Sequence, residues 1–273
     1  MRFSPVNEGK RLLYNGICKK LQLEHEILTV RDGFKMQLDP KDDNQRYIYW
    51  YKRYNEKDEI KMLQRLLQEG DCFFDVGANI GYFTLAAASI VGKTGKVISF
   101  EPNPFTFALL KRNIDLNNFP YVESYQVAIG ETIGDTTLYC RSDCSDMTAS
   151  LLKHSRKDNS VAVKKITLDS IILERKIKPV VIKIDAEGYD EMVLQGASAF
   201  LSSNASPVLL IEALSNQSEM FTFLTSLGYE QYTLSKHIWR KNKIGRQINS
   251  NNTLWLRKDV FKKYENRIKS LLN

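Results

Sequence analysis

Two rhythms of apolar residues alternate along this chain. Short unbroken apolar runs stand at 72–74 (CFF), 180–182 (VVI) and 208–211 (VLLI), and KVISF at 96–100 is nearly as apolar. Such runs predict strands covered on both faces. Between them apolar residues recur every three or four positions, which predicts amphipathic helices. Ile60, Leu63, Leu66 and Leu67 mark one helix, stopped by Gly70. YFTLAAASIV predicts a second near 80–91, and Pro104 to Asn117 a third with Phe107, Leu110 and Ile114 on one face. Further helices are predicted near 189–201 and 217–227. SYQVAIG (124–130) predicts a third strand, 136–140 and 161–166 additional strands around a polar loop, and YEQYTLS and NTLWLRK two closing strands. Strands alternating with helices predict an α/β fold, a doubly wound and mostly parallel sheet with helices on both faces.

The flanks read differently. ILTVRDGFKMQL (27–38) predicts a hairpin around an Asp-Gly turn. Tyr47, Trp50, Tyr51 and Tyr54 then fall at helical spacing, either as a face packed on the main domain or as an aromatic wall for a flat ligand such as a sugar. At the other end Val260, Phe261, Tyr264, Ile268 and Leu271 form one helical stripe, with Lys262, Lys263, Arg267 and Lys269 around it. That stripe either docks on the domain or lies on an anionic membrane. The expected organisation is an N-terminal extension over 1–56, one main domain over 57–258 and a basic helix over 259–273.

Charge sharpens the view of the tail. The net charge is +7, yet residues 236–273 carry eleven Lys and Arg against Asp259 and Glu265. The basic excess is thus concentrated at the C-terminus, where it suits an anionic partner, a membrane face or a solvated surface. MRFSPVNEGKRLL has no apolar signal core, and no apolar run reaches a membrane span of about 18 residues. A cytoplasmic location, peripheral at most to a membrane, is the expectation. The four cysteines are scattered, and Cys140 and Cys144 have no second pair, so no zinc site is expected.

The densest chemistry lies at DCFFDVGANIGY, 71–82. A strand ends in Asp75, a turn follows with Gly77 and Gly81, and a helix begins at once. A new helix offers free N–H groups and a positive dipole end to an anion. Asp75 would repel a pyrophosphate but attract an ammonium, which favours S-adenosylmethionine over NAD. Glu101 ends the next strand, 26 residues after Asp75, where a carboxylate accepts two hydrogen bonds from a ribose diol. Asp185, Glu187 and Glu212 end further strands. Acids gathered at one sheet edge repel each other unless a cationic ligand or partners offset them.

Six segments in order resemble the FkbM-type family of class I S-adenosylmethionine-dependent methyltransferases: DGFKMQLDP, DVGANIGYFT, FEPNPFTFALLKRNIDLN, VAIG, KIDAEGYDEMVLQGA and IEAL, spanning about 31–214. The resemblance implies a Rossmann-like sheet of seven strands, the last antiparallel. It implies that Asp75, Gly77, Ala78, Asn79 and Gly81 line the methionine end of the cofactor, with Asp185 beside them. Glu101 would meet the ribose, Asn103 would sit close by, and Ala128 would lie near the adenine. The implied reaction is methylation of a hydroxyl on a sugar, glycoconjugate or natural product.

Methyl transfer to oxygen needs alignment and a proton acceptor. Asp185 is expected to orient the acceptor and take its proton late, because an ordinary aspartate is a weak base. Glu187 and Glu212 are candidates for holding the substrate or the cofactor ammonium; a salt bridge or cap is the plainer role for Glu187. His154, in a polar loop, is a lesser candidate base. Asp185 with Glu187 lacks an evident third magnesium ligand, so no metal is expected. The alternatives are NAD(P)-linked oxidoreduction and a non-catalytic cofactor-binding module. Nucleic-acid methylation is disfavoured, since the Asn/Asp-Pro-Pro-aromatic segment is replaced by Asp-Ala-Glu-Gly. Neither the acceptor nor the oligomeric state is coded legibly.

Overall fold

The computed structural model describes residues 16–21, 23–140, 149–153, 159–203, 207–212, 218–235, 238–242 and 252–272. A hairpin, β1 (Glu26–Thr29) with β2 (Lys35–Leu38), leads into α1 (Asp43–Tyr51) and α2 (Lys57–Leu66). Alternation then begins: β3 (Cys72–Val76), α3 (Tyr82–Val91), β4 (Lys96–Phe100), α4 (Pro104–Asp115) and β5 (Val122–Tyr125). Four short strands follow, β6 (Ala128–Ile129), β7 (Gly134–Cys140), β8 (Ala149–Ser150) and β9 (Asn159–Ile166). Alternation resumes with α5 (Leu168–Arg175), β10 (Val181–Ile184), α6 (Asp190–Gln195), α7 (Ser198–Ser202), β11 (Val208–Glu212) and α8 (Ser218–Ser226). The chain closes with β12 (Tyr229–Ser235), β13 (Ile238–Lys241), β14 (Asn252–Arg257), α9 (Lys258–Lys263) and α10 (Glu265–Leu272).

The main sheet runs β13-β12-β14-β11-β10-β3-β4-β5. The five strands from β11 to β5 are mutually parallel, and β14 is antiparallel to both β11 and β12. The expected seven strands and antiparallel last strand are therefore present, with β13 added at the edge. Neighbouring residues along each strand serve opposite faces. Phe73, Val97, Val181 and Leu210 pack with Leu63, Leu85 and Leu110 on one side, while Phe74, Ile98, Ile182 and Leu209 pack with Leu168, Val193 and Leu224 on the other. Unbroken apolar runs are what such two-sided burial requires. The order reverses between β3 and β10, which opens a crevice above their carboxyl ends.

Three sequence expectations are corrected, and a fourth is decided between its two alternatives. SYQVAIG is two strands: β5 stays in the main sheet, while β6 leaves it to pair with β9 in a second sheet, β6-β9-β7-β8. The helix expected over 189–201 breaks at Gly196 and Ala197, because Gly196 presses on Gly130; a Cβ there would lie 1.9 Å from the Gly130 carbonyl oxygen. In α1 the buried residues are Ile48 and Tyr49, while Trp50 and Tyr51 face solvent and Tyr54 lies beyond the helix. The hairpin claims that face: α1 and β2 pack together, and Tyr49 lies near Glu26 of β1. The C-terminal stripe docks, with Val260 and Ile268 in the core and Arg267 donating to the Leu66 carbonyl at 2.9 Å and to Asp71 at 2.6 Å. No described helix is long and apolar enough to cross a membrane.

Candidate functional site

The turn from β3 into α3 is tightly folded. Gly77, Asn79 and Gly81 all take positive φ, at 72°, 52° and 94°. The N–H groups of Gly77 and Ala78 both donate to the Phe100 carbonyl at 3.0 Å, which ties the turn to the end of β4. Side-chain-free backbone at 77 serves an approach within the protein: a Cβ there would sit 1.9 Å from the Asp185 carbonyl oxygen. The ends of β3 and β10 thus touch backbone to backbone. Gly81 likewise yields to Leu110, whose Cδ1 would lie 2.6 Å from an added Cβ.

Above this turn lies a crevice with about 1040 Å³ of open space, its solvent mouth included. Of the sequence-predicted residues, Gly77, Ala78, Asn79, Glu101, Ala128, Asp185 and Glu187 line it. Asp75, Gly81 and Asn103 are buried and not part of that lining, and neither is the half-buried Glu212. Tyr54, one of the four aromatics offered as a ligand wall, lines it too, whereas sequence reasoning missed Phe83, Lys183 and Tyr189. Lys183 had left a signal, a lone cation inside an apolar run two residues before Asp185. Phe83 and Tyr189 had left none. His154 falls outside the described residues.

Glu101 is nearly fully buried. Its two carboxylate oxygens accept N–H groups from Asn79 and Asn103, each at 2.9 Å. A carboxylate has about four lone-pair sites, so capacity remains for a diol. Burial pushes Glu101 up to about 7, against those two hydrogen bonds. Asn103 is occupied as the cap of α4, where its side chain accepts from the Phe105 N–H at 3.0 Å.

Asp75 is completely buried. Thr84 donates to one oxygen at 2.7 Å, and Lys183 Nζ lies 3.6 Å from the other. Burial raises its pKa, with Lys183 and Thr84 opposing. Lys183 also pairs with Asp185 at 3.2 Å and donates to the Gly77 carbonyl at 3.5 Å. Burial lowers a lysine's pKa, but the Asp185 and Asp75 carboxylates outweigh it and hold Lys183 above its usual value. Burial likewise works against an ionised Asp185, yet Lys183 holds it below the usual carboxylate range. Burial and then the Asp185 charge push Glu212 up to about 7. Glu56, the N-cap of α2, is raised to about 7 by burial and then by Glu59. Acids thus outnumber the one cationic side chain among the described lining residues, so the pit suits a positively charged ligand.

Glu187 holds a left-handed conformation, φ 50°, in a turn ahead of α6. Its carbonyl accepts from the Ser150 hydroxyl at 2.8 Å, which joins the second sheet to the crevice rim. Asp190 closes the turn by accepting from the Ala186 N–H at 3.1 Å. On the same side Tyr189 donates to Glu131 at 2.9 Å, and Glu131 pairs with Lys165 at 2.6 Å. No group of three metal-ligating side chains occurs among the described residues.

Residues 75–231 match the family described as the methyltransferase FkbM domain. This chain belongs to that family. Among curated proteins it is 30% identical over 149 residues to a hexuronic acid methyltransferase, AglP, of Haloferax volcanii, covering 54% of this chain and 59% of that one. It is 28% identical over 141 residues to methyltransferase 1 of Beauveria bassiana, covering 45% and 56%. The match thus spans under two thirds of each relative. Among solved structures, an FkbM methyltransferase from Methylobacillus flagellatus aligns at 18% identity and a TM-score of 0.44, covering 68% of this chain and 43% of that one.

The family's cofactor is S-adenosyl-L-methionine, and the crevice fits it. A cation-seeking acidic pit lies at the β3 and β10 ends, and the Glu101 carboxylate stands at the wall where β4 ends. Apolar Phe100, Val127, Ala128 and Ile129 line the stretch beyond, suited to a flat base.

Proposed function

We propose that this protein methylates a hydroxyl oxygen of a sugar, within a glycan, glycoconjugate or natural product. The carrying observation is the crevice itself: a family-type cofactor site whose wall presents the Asp185 carboxylate, held by Lys183 at 3.2 Å, with Glu212, pushed up to about 7, close by. When bound, S-adenosylmethionine supplies an electrophilic methyl group. Gly77, Ala78 and Asn79 would hold its amino-acid end and Glu101 its ribose. Asp75 would act from beneath, through Lys183, and Gly81 and Asn103 by shaping the turn and the start of α4. Asp185 accepts a hydrogen bond from the acceptor hydroxyl and fixes its direction. The proton passes to the Asp185 and Glu212 pair, whose second member has the affinity suited to neutral pH. Glu187, on the rim next to the second sheet, holds the acceptor. Similarity to a hexuronic acid methyltransferase supports a sugar acceptor. Exposed Lys258, Lys262 and Lys269 suit an anionic carrier or membrane face. No observation favours nicotinamide chemistry.

The test is incubation with methyl-labelled S-adenosylmethionine and a panel of glycosides, uronosides and glycolipid fractions. A base-stable methyl ether is the expected product. A label released by mild base marks an ester on a carboxylate and overturns the hydroxyl assignment. Binding of S-adenosylhomocysteine without any transfer points to the non-catalytic module.

A further inference from the structure

Lys183 and Asp185 lie two residues apart at the end of β10, so their side chains share one face. Directly across the ladder Lys183 faces Asp75 of β3. Its ammonium stands 3.2 Å from Asp185 and 3.6 Å from Asp75, and also donates to the Gly77 carbonyl. Below, it sits 5.1 Å from the centre of the Phe83 ring. A desolvated ammonium persists only where carboxylates compensate it, and two do so here. One of them, Asp185, opens on the crevice, while Asp75 is sealed beneath.

We propose that Lys183 is a positioning residue for methyl transfer: its ammonium fixes the Asp185 carboxylate at the crevice wall and anchors it to Asp75 on the neighbouring strand. This rests on the methyltransferase reading above. Among the described residues, the other ionisable groups around the pair are Glu56 from the start of α2, Glu101 from the end of β4, Glu212 from β11, Glu187 and Asp190 from the turn into α6, and the Tyr54 phenol. The five carboxyl groups all add negative charge when ionised. Without Lys183 they raise the proton affinity of Asp185.

The experiment compares wild type, Lys183→Met, and Lys183→Met with Asp75→Asn. The double variant removes both halves of the sealed pair and keeps the Thr84 contact. Carbon-13 titration of the Asp185 carboxyl, assigned with Asp185→Asn, is read in protein bound to S-adenosylhomocysteine. An opposite charge at this range is worth about one to three pH units. The Asp185 midpoint is therefore expected to rise by at least about one unit in both variants. The acidic limb of kcat/KM should rise with it, and the double variant alone should recover thermal stability. An unchanged Asp185 midpoint, or full recovery of the pH profile in the double variant, makes Lys183 a structural residue and overturns the proposal. If Lys183→Met does not fold, the double variant carries the measurement. If wild type transfers no methyl group, the acceptor reading fails and the titration still decides on Lys183.

Discussion

Glu101 accepts two backbone N–H groups before any ligand arrives, so it is fixed in place for a diol. Glu101→Ala should weaken S-adenosylhomocysteine binding by about 1.5–3 kcal/mol, the scale of hydrogen bonds to a charged group. Calorimetry reads this, and unchanged affinity would remove Glu101 from the ribose. The same residue has a pH signature. Its folded pKa is raised from 4.5 to about 7, so the folded chain binds that proton more tightly than the unfolded one. The stability it contributes is complete below the unfolded value and is lost as pH rises through the folded one. Glu56 and Glu212 shift in the same direction over the same window. The thermal midpoint of the ligand-free protein should therefore fall as pH rises from about 4.5 to about 7, and Glu101→Gln should flatten part of that fall.

The β3–α3 turn is set by contacts between elements as much as by its own sequence. Gly33 and Gly77 both have positive φ, but a Cβ at 33 meets nothing within 4 Å, whereas one at 77 runs into the Asp185 backbone. Gly33→Ala should cost about 1–2 kcal/mol of conformational strain. Gly77→Ala must also separate two strand ends, so it should lower the thermal midpoint much further and abolish S-adenosylhomocysteine binding. Equal losses in melting experiments would contradict the crowding between β3 and β10. Gly196 repeats the theme: periodicity predicted one helix over 189–201, and a distant Gly130 carbonyl broke it.

Across the whole molecule the C-terminal helices close the fold. Arg267 reaches back to the Leu66 carbonyl, to Asp71 and to Gln68, joining the end of the chain to the segment just before β3. Arg267→Ala should cost about 1.5–3 kcal/mol, visible as a lower midpoint in urea or heat. With Val260 and Ile268 occupied in the core, any attraction to an anionic surface falls to the exposed lysines of α9 and α10.

The order of strands and helices was legible in the chain because two-sided burial demands unbroken apolar runs and one-sided burial demands helical spacing. The acids at strand ends were legible as well, since Asp75, Glu101, Asp185 and Glu212 each interrupt or terminate such a run. Which acid meets the crevice was not legible. Asp75 and Asp185 look alike in sequence, yet cross-strand register seals one beneath Lys183 and opens the other to ligand. The face of α1 was also misjudged, since the hairpin beside it selects Ile48 and Tyr49 over the exposed aromatics. Periodicity records how much surface an element buries, whereas partner and direction arise only when distant strands are placed side by side.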